Sequence, residues 1–220
     1  VLNFKFNKII NQTAIIVDEM YKNVDDEIEK EISRIKKDLD VHVSCKKNCH
    51  YCCCNPMSVS LIDSIRIYKY LQNKEDIKEK FLKNYEEWII NVNPRSFDLM
   101  RNNNLDINVD KYDRGIDRLC PFLDEKSCSV YYVRPKECRD YFVSNDPELC
   151  GDVNNDEVTK INPIIFRKTK EKYPIINRAL LKQLDLPDIR FSLPVAVYKL
   201  IENQNSFYDK VRKDWTSVYD

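Results

Sequence analysis

Residues 45–54 read CKKNCHYCCC and place five cysteines in ten positions. Disulfide bonds form only within a narrow range of geometries, so five thiols this close together cannot all pair with one another. Thiolates that converge from one short loop are typical ligands of a soft metal or an iron–sulfur cluster. We therefore interpret the chain as a cysteine-metal protein. The alternatives are a disulfide framework and buried free thiols.

Four further cysteines lie much later in the chain, namely Cys120, Cys128, Cys138 and Cys150. The odd total of nine fits a metal site with one spare thiol better than it fits complete pairing. Neither cysteine segment alone completes a closed centre, so we expect the two segments to share one site. A shared site would join the helical halves of the chain. This predicts a single domain over residues 1–220, with its cysteine region at 41–152 between an N-terminal helix, 13–40, and a C-terminal helical segment, 153–220.

The composition limits the function classes. A chain of 220 residues can bury a core without disulfides. The first residues lack a basic start followed by an apolar run, and the longest aliphatic runs are too short to cross a bilayer. We therefore expect a cytoplasmic protein without membrane contact. In that reducing compartment, clustered cysteines usually indicate metal or redox chemistry. A formal net charge of zero argues against nucleic acid as a partner.

The chain contains two glycines, Gly115 and Gly151. Phosphate-binding loops and dinucleotide-binding turns need several glycines at fixed spacing. The sequence therefore argues against a Rossmann-type methyltransferase, a dehydrogenase and a P-loop enzyme.

The apolar periodicity predicts a mainly α-helical fold. Residues 13–40 are expected to form one long helix with Thr13 as its N-cap and one apolar stripe. That stripe consists of Met20, Val24, Ile28, Ile32, Ile35 and Leu39.

Two shorter helices are predicted after the first cysteine loop. One begins near Ser60, whose spacing to Asp63 resembles a capping box, and its inner face consists of Leu61, Ile65, Tyr68 and Leu71. The next helix covers 75–91, and we assign its apolar stripe to the core: Ile77, Phe81, Tyr85, Trp88 and Ile89.

The rest of the chain carries turn and helix signals. Residues 92–119 are polar and rich in asparagine, so they are interpreted as a long connection. A short hairpin is expected with strands at 122–123 and 129–133 and a turn at 124–127. Pro174 and Pro194 are placed at helix starts, and 206–217 is predicted to form a last amphipathic helix.

The spacing Cys45-x3-Cys49-x2-Cys52, with Tyr51 before the third cysteine, matches the signature of radical S-adenosylmethionine enzymes. Those enzymes are built on α/β barrels with glycine-bearing strands. Because this chain shows neither alternating βα units nor such glycines, an ordinary enzyme of that class is not favoured.

The full set of motifs is more specific. The first burst, a following helix, Cys120-Pro-Phe-Leu, Cys128-Ser-Val-Tyr and Arg134-Pro-Lys-Glu-Cys138-Arg139 occur in that order. This pattern resembles the YkgJ-like CxxCxxCC family, described as zinc- or iron-chelating, to which flagellin lysine N-methylases look related. The resemblance implies eight metal ligands: Cys45, Cys49, Cys52, Cys53, Cys120, Cys128, Cys138 and Cys150. The first gap is three residues where the family name has two, and Cys54 lies outside the pattern.

The resemblance also implies a function. It favours an iron–sulfur cluster, 4Fe–4S, with redox or protein lysine methyl-transfer chemistry, a protein substrate or partner, and S-adenosylmethionine as a second cofactor. The alternatives are a structural zinc protein and a metal carrier without catalysis. Eight thiolates suffice for two tetrahedral zinc ions or for one cluster with spare thiols, and spacing alone does not choose between them.

Charged neighbours accompany the predicted ligands, namely Lys46, Lys47, Arg134, Lys136 and Arg139. Cations beside thiolates would lower their pKa and offset their charge, although Arg134 and Arg139 fit ordinary surface contacts equally well. His50 lies inside the first burst and is interpreted as an exposed loop histidine in preference to a ligand.

Overall fold

Helices form most of the part of the chain that the computed structural model describes, which is residues 2–55, 57–91, 119–139, 141–151, 157–161, 166–184 and 190–202. The helices are α1 (Leu2–Asp38), α2 (Leu61–Leu71), α3 (Glu75–Asn91), α4 (Lys136–Arg139), α5 (Phe166–Gln183) and α6 (Leu193–Glu202). The strands are two residues each: β1 (Ser58–Val59), β2 (Leu123–Asp124), β3 (Ser127–Cys128), β4 (Phe142–Val143), β5 (Lys160–Ile161) and β6 (Phe191–Ser192). The prediction of a mainly α fold is confirmed.

Helix α1 begins eleven residues earlier than predicted, at Leu2. The reason is that its buried stripe continues towards the N-terminus through Ile10, Ala14 and Val17, which repeat at helical spacing. Thr13 is therefore a buried residue inside the helix and not its N-cap. At the other end the helix stops at Asp38, so Leu39 lies beyond it and is 58% exposed.

Helix α2 is the central helix, and it contacts α1, α5 and α6. Its start after Ser60 and its predicted inner face, Leu61, Ile65, Tyr68 and Leu71, are confirmed. The capping box is not formed as predicted, because the Ser60 hydroxyl donates to the Asp63 carboxylate at 3.0 Å and makes no side-chain cap to the backbone.

Three apolar clusters organise the packing. The first joins α1, α2, α5 and α6 and includes Tyr21 and Tyr173. The second joins α2, α3, α6 and the β2–β3 hairpin, and Cys120 and Cys128 pack on it. The third is smaller and joins the C-terminal half of α1 to Val43 and Phe142, with Cys45 packed on its edge. The two cysteine segments thus rest on different parts of the core.

The aromatic stripe of α3 belongs to the core, as predicted. Phe81 and Tyr85 are buried, and the Phe81 ring stacks on Phe122 at 4.2 Å between centroids. Ile89 departs from the prediction, because it is 38% exposed.

The predicted hairpin exists with a different register. Strands β2 and β3 pair Leu123 with Cys128 around a two-residue turn in which Glu125 has a φ of 54°. The expected strand at 129–133 is wrong, because the Ser129 amide bonds back to the Phe122 carbonyl at 2.8 Å and Tyr131–Val133 form a 3-10 turn.

Of the two prolines predicted at helix starts, only Pro194 lies at one. Pro174 lies inside α5 and does not begin it, whereas Pro194 is the second residue of α6, in its first turn.

The connection predicted at 92–119 lies, except for Leu119, outside the described residues, and so does the helix predicted at 206–217. Within the described part of the chain, no helix is both long enough and apolar enough to cross a membrane. The single-domain organisation stays a prediction.

Candidate metal centre

The first cysteine burst forms a loop that ends in one 3-10 turn, Tyr51–Cys54. The turn is closed by the Cys53 amide on the His50 carbonyl at 2.8 Å and by the Asn55 amide on the Cys52 carbonyl at 3.1 Å. A 3-10 turn has about three residues per turn, so consecutive side chains leave it about 120° apart. Side chains on such a turn diverge, yet the Cys53 thiol remains within hydrogen-bond reach of the Cys52 sulfur.

The second cysteine segment is joined directly to the first. The Cys120 amide donates to the Cys53 carbonyl at 2.9 Å, and the Ser127 hydroxyl donates to the Asn48 side chain at 3.1 Å. Cys128 lies on β3, and Cys138 lies on α4. These contacts hold the hairpin against the first loop.

Cys150 arrives from a third segment, the 3-10 turn Pro147–Gly151, which packs against the turn Tyr51–Cys54. The Tyr51 hydroxyl donates to the Glu148 carboxylate at 2.8 Å, and the Asn55 amide group donates to the Cys150 carbonyl at 3.4 Å. The first cysteine loop thus contacts one segment 67 residues further along the chain and another 95 to 97 residues further along.

Cys52 is the electrostatic centre of this convergence. A hydrogen bond from the Cys53 thiol lowers the pKa of Cys52 to about 7, and donation of that bond raises the pKa of Cys53. Negative charge on Cys52 raises the pKa of each of the other seven predicted ligands, which are Cys45, Cys49, Cys53, Cys120, Cys128, Cys138 and Cys150. Among the eight predicted ligands Cys52 therefore ionises first, and the other seven lie close enough to sense its charge.

The other thiols fall into two groups around Cys52. The hairpin group consists of Cys53, Cys120, Cys128 and Cys138. Burial and then the Cys128 charge raise the pKa of Cys120 to about 12. The charges of Cys120 and Cys128 also raise the pKa of Cys53 and of Cys138.

The Tyr141 group consists of Cys45, Cys49 and Cys150. Burial and then the charges of Cys52, Cys45 and Cys49 raise the pKa of Cys150 to about 11. The Cys45 thiol donates to the Tyr141 carbonyl at 3.5 Å, and the Tyr141 hydroxyl donates to the Cys150 sulfur. No pattern in the sequence indicates Tyr141, because its contact with Cys45 joins residues that are ninety-six positions apart.

Three sulfurs accept a hydrogen bond from the backbone amide two residues later. The acceptors are Cys49, Cys120 and Cys128, and the donors are Tyr51, Phe122 and Val130 respectively. Each of these bonds lowers the pKa of the thiol that accepts it, against the larger effect of burial. Amide donors aimed at sulfur favour the thiolate form that metals bind.

Cys54 bonds to the backbone of both 3-10 turns. Its thiol donates to the Tyr51 carbonyl at 3.0 Å and to the Gly151 carbonyl at 3.3 Å. The structure thus places the one cysteine outside the family pattern on the contact between two 3-10 turns.

The predicted cations separate into two kinds. Arg134 faces the sulfurs, since its charge lowers the pKa of Cys52 and opposes the effect of burial on Cys45, Cys128 and Cys138. Its buried Nε has no hydrogen-bond partner among the described residues. Lys46 acts in the same direction on Cys49.

Arg139 forms an ion pair with α1, and Lys47 contacts an aromatic ring. Arg139 is 2% exposed and pairs with Asp25 on α1, so the expectation of a surface contact is wrong for it. Lys47 lies over the exposed Tyr132 ring, 5.6 Å from its centroid. His50 is half-buried and stacks on the Tyr51 ring at 4.7 Å.

The donor chemistry fits a thiolate metal site: soft sulfur ligands, amide donors to sulfur and a facing guanidinium. None of the nine cysteines forms a disulfide. Among the described residues, which include all nine cysteines, no three histidine, cysteine or acidic side chains are arranged around a common point that could hold a metal ion. Metal binding therefore requires the thiols to close around the metal and to release protons.

The cleft between α1 and α5 is separate from this region. It has a volume of about 610 Å3 and is lined by apolar side chains that include Ile15, Ile16 and Ile175, and no cysteine lines it. It adds nothing to the chemistry of the thiols.

The comparisons with known proteins bear on the same region. The model of the CxxCxxCC family, whose description is "Putative zinc- or iron-chelating domain", matches residues 44–164, more than half of the chain. The chain belongs to this family. The matched range contains all eight predicted ligands, and membership supports a metal-binding cysteine-cluster protein. No curated protein and no solved structure gave a significant match.

Proposed function

We propose that the protein binds metal through the thiolates gathered around Cys52, in the form of an iron–sulfur cluster. The observation that carries the proposal is that seven thiols from three separate chain segments all sense the charge of one thiol, Cys52. Converging cysteines under apolar cover are the usual ligands of 4Fe–4S clusters.

The chain's own residues have defined tasks in this proposal. Cys52, whose pKa is lowered by the hydrogen bond from Cys53, would be the first of the eight predicted ligands available as a thiolate to an incoming metal. Arg134 offsets the negative charge that builds up as further thiols ionise. The amides of Tyr51, Phe122 and Val130 orient three of the sulfurs.

A bound cluster would supply electron transfer, and one with an iron lacking a cysteine ligand would also hold S-adenosylmethionine. We therefore propose either redox chemistry or methyl transfer to a protein lysine, the latter on the resemblance to flagellin lysine N-methylases alone. Calorimetry with S-adenosylmethionine on anaerobic and on chelated protein separates them. Binding that requires the cluster supports methyl transfer. Equal affinity in both preparations rules out a cluster-dependent site.

Zinc is the second candidate, and one observation favours it. With Cys52 assigned to the Tyr141 group, the thiols form two sets of four, which suits two tetrahedral zinc sites. Such sites would be structural, or would serve a carrier, and would need no substrate.

The deciding experiment is anaerobic purification followed by iron, zinc and acid-labile sulfide analysis. The iron–sulfur proposal expects a brown protein with about four iron and four sulfide ions per cluster. A colourless protein with about two zinc ions per chain would replace the proposal with the structural zinc site. Protein without either metal after reconstitution would reject both.

A further inference from the structure

Two buried arginines lie on the Tyr21 ring of α1. The Arg66 guanidinium is 4.2 Å from the ring centroid and that of Arg139 is 4.9 Å from it. Each arginine pairs with an aspartate of α1: Arg66 with Asp18 and Arg139 with Asp25. The two sites are alike in charge, burial and ring contact, so they form a natural pair for comparison.

The two arginines differ in the chain segment that they hold. Arg66 belongs to α2 and lies within the helical core. Arg139 follows Cys138 directly, and its guanidinium also donates to two backbone carbonyls of the cysteine segment: Nε to Arg134 at 2.9 Å and Nη2 to Tyr132 at 2.5 Å. The Arg139 guanidinium thus bonds to two carbonyls within the segment 132–139 and attaches this segment to α1.

Lysine cannot reproduce these contacts. The guanidinium presents five donors in a fixed plane, whereas an ammonium is a compact charge on a flexible stem. If Arg139 were replaced by lysine, the charge next to Asp25 would remain, and at least one of the two carbonyls would lose its donor. The segment that carries Cys138 would then be held less tightly.

We propose that Arg139 is a positioning residue that fixes the thiol of Cys138 relative to the other sulfurs. The inference rests on the proposed function only in that Cys138 is a metal ligand. Arg139 acts through the backbone of 132–139, and the charge that faces the sulfurs is that of Arg134.

The test uses metal-free full-length protein and site-resolved alkylation of the thiols by iodoacetamide. Arg139→Lys is expected to raise the alkylation rate of Cys138 about tenfold, because rates follow the population of the locally open state. Cys45 and Cys49 should keep their rates. Arg66→Lys is the matched control: it alters the same ring contact and an equivalent ion pair, and it should leave Cys138 unchanged.

Three results would overturn the inference: no change at Cys138 in Arg139→Lys, an equal change in Arg66→Lys, or a uniform rise at every cysteine. If Arg139→Lys does not fold, Arg139→Gln takes its place, since a carboxamide has two N–H donors where the guanidinium has five and cannot keep both carbonyl bonds and the contact with Asp25. It is expected to raise the rate at Cys138 and to leave Cys45 and Cys49 unchanged, and an unchanged rate at Cys138 would also overturn the inference.

Metal analysis of the same variants keeps the two proposals apart. Wild-type protein that binds no metal contradicts the proposed function while the alkylation result still decides the role of Arg139. Wild-type protein that binds metal, with faster release to a chelator from Arg139→Lys and not from Arg66→Lys, supports both.

Discussion

The hairpin group and the Tyr141 group differ in what holds their sulfurs in place. Cys120 and Cys128 pack on the second apolar cluster, beside Phe122 and Val130, which are each 1% exposed. Cys45 packs on the edge of the small third cluster. Core packing fixes the backbone around Cys120 and Cys128, so we expect the hairpin group to need the smaller rearrangement when metal binds.

The Tyr141 group depends on backbone hydrogen bonds between short segments. The Ser44 amide donates to the Val143 carbonyl at 2.9 Å, and Phe142 pairs with Ile161 in the two-residue ladder of β4 and β5. Such short elements are only marginally stable by themselves. We therefore expect the Tyr141 group to become ordered when metal binds.

The largest expected effect comes from removing one ligand of each group. Cys138→Ser and Cys49→Ser should both lower the bound metal and the melting temperature, because metal binding is coupled to folding and contributes several kcal/mol. Cys138→Ser should have the larger effect, since it leaves a hydroxyl in a site whose burial already raises the thiol pKa. Metal content and denaturant unfolding measure both quantities. Full metal and an unchanged melting temperature in Cys138→Ser would show that the two segments do not share a site.

A second pair of variants tests what supports each group. Phe81→Ala removes the ring that stacks on Phe122 and should cost about 3–5 kcal/mol of stability. In metal-free protein it should expose Cys120 and Cys128 to alkylation and leave Cys45 as it is. Phe142→Ala, in the third cluster, should do the reverse. Identical alkylation patterns in the two variants would contradict the division into two groups.

The next effect depends on pH and involves Asp63, which connects α1, α2 and α5 to the segment that carries Cys138. Its carboxylate accepts from Tyr21, Tyr173 and Ser60, and from the Lys136 amide at 3.4 Å. Burial and then the Glu137 charge raise the pKa of Asp63 to about 7, although the hydrogen bonds from Tyr21, Ser60 and Lys136 lower it.

A carboxyl group whose pKa is raised by folding stabilises the protein below its unfolded pKa, and this stability is lost as the pH rises through the folded pKa. For Asp63 the loss falls between about pH 4 and pH 7. In Asp63→Asn this contribution should be absent. The free energy of unfolding of the variant, relative to that of wild type, should therefore rise by roughly 2–4 kcal/mol as the pH increases across that range. Unfolding of both proteins by urea at several pH values measures the difference. A difference that does not change with pH would contradict the raised pKa.

Local patterns in the sequence predicted the helices well and the site only in outline. Apolar spacing located α2 and α3, and the same spacing through Ile10, Ala14 and Val17 was available to find the true start of α1. The hairpin register was missed because Val130 is buried in the core after the chain has already left β3. Burial of that kind is set by distant residues and has no period in the sequence.

The same limit applies to the thiols. Cysteine spacing identified the eight candidates, but it carried no information on Cys52 as the centre, on Tyr141 or on the buried position of Arg139. Each of these features depends on contacts between segments that are distant along the chain. A pattern within ten residues cannot encode such contacts.

The smallest expected effect is that of Cys54→Ser, which tests whether the ninth cysteine belongs to either group. The Cys54 thiol donates to the Tyr51 and Gly151 carbonyls, and a serine hydroxyl can donate to the same acceptors. We therefore expect unchanged metal content and a change in stability within about 0.5 kcal/mol. Cys53→Ser is the matched comparison, because it is the adjacent residue on the same turn and donates to Cys52 instead. It should lower the metal content, because a hydroxyl is a poor ligand for soft metals and iron–sulfur clusters even where it can still donate to Cys52. Loss of metal in Cys54→Ser together with retention in Cys53→Ser would exchange the roles of the two thiols and move the centre of the site towards the turn Pro147–Gly151.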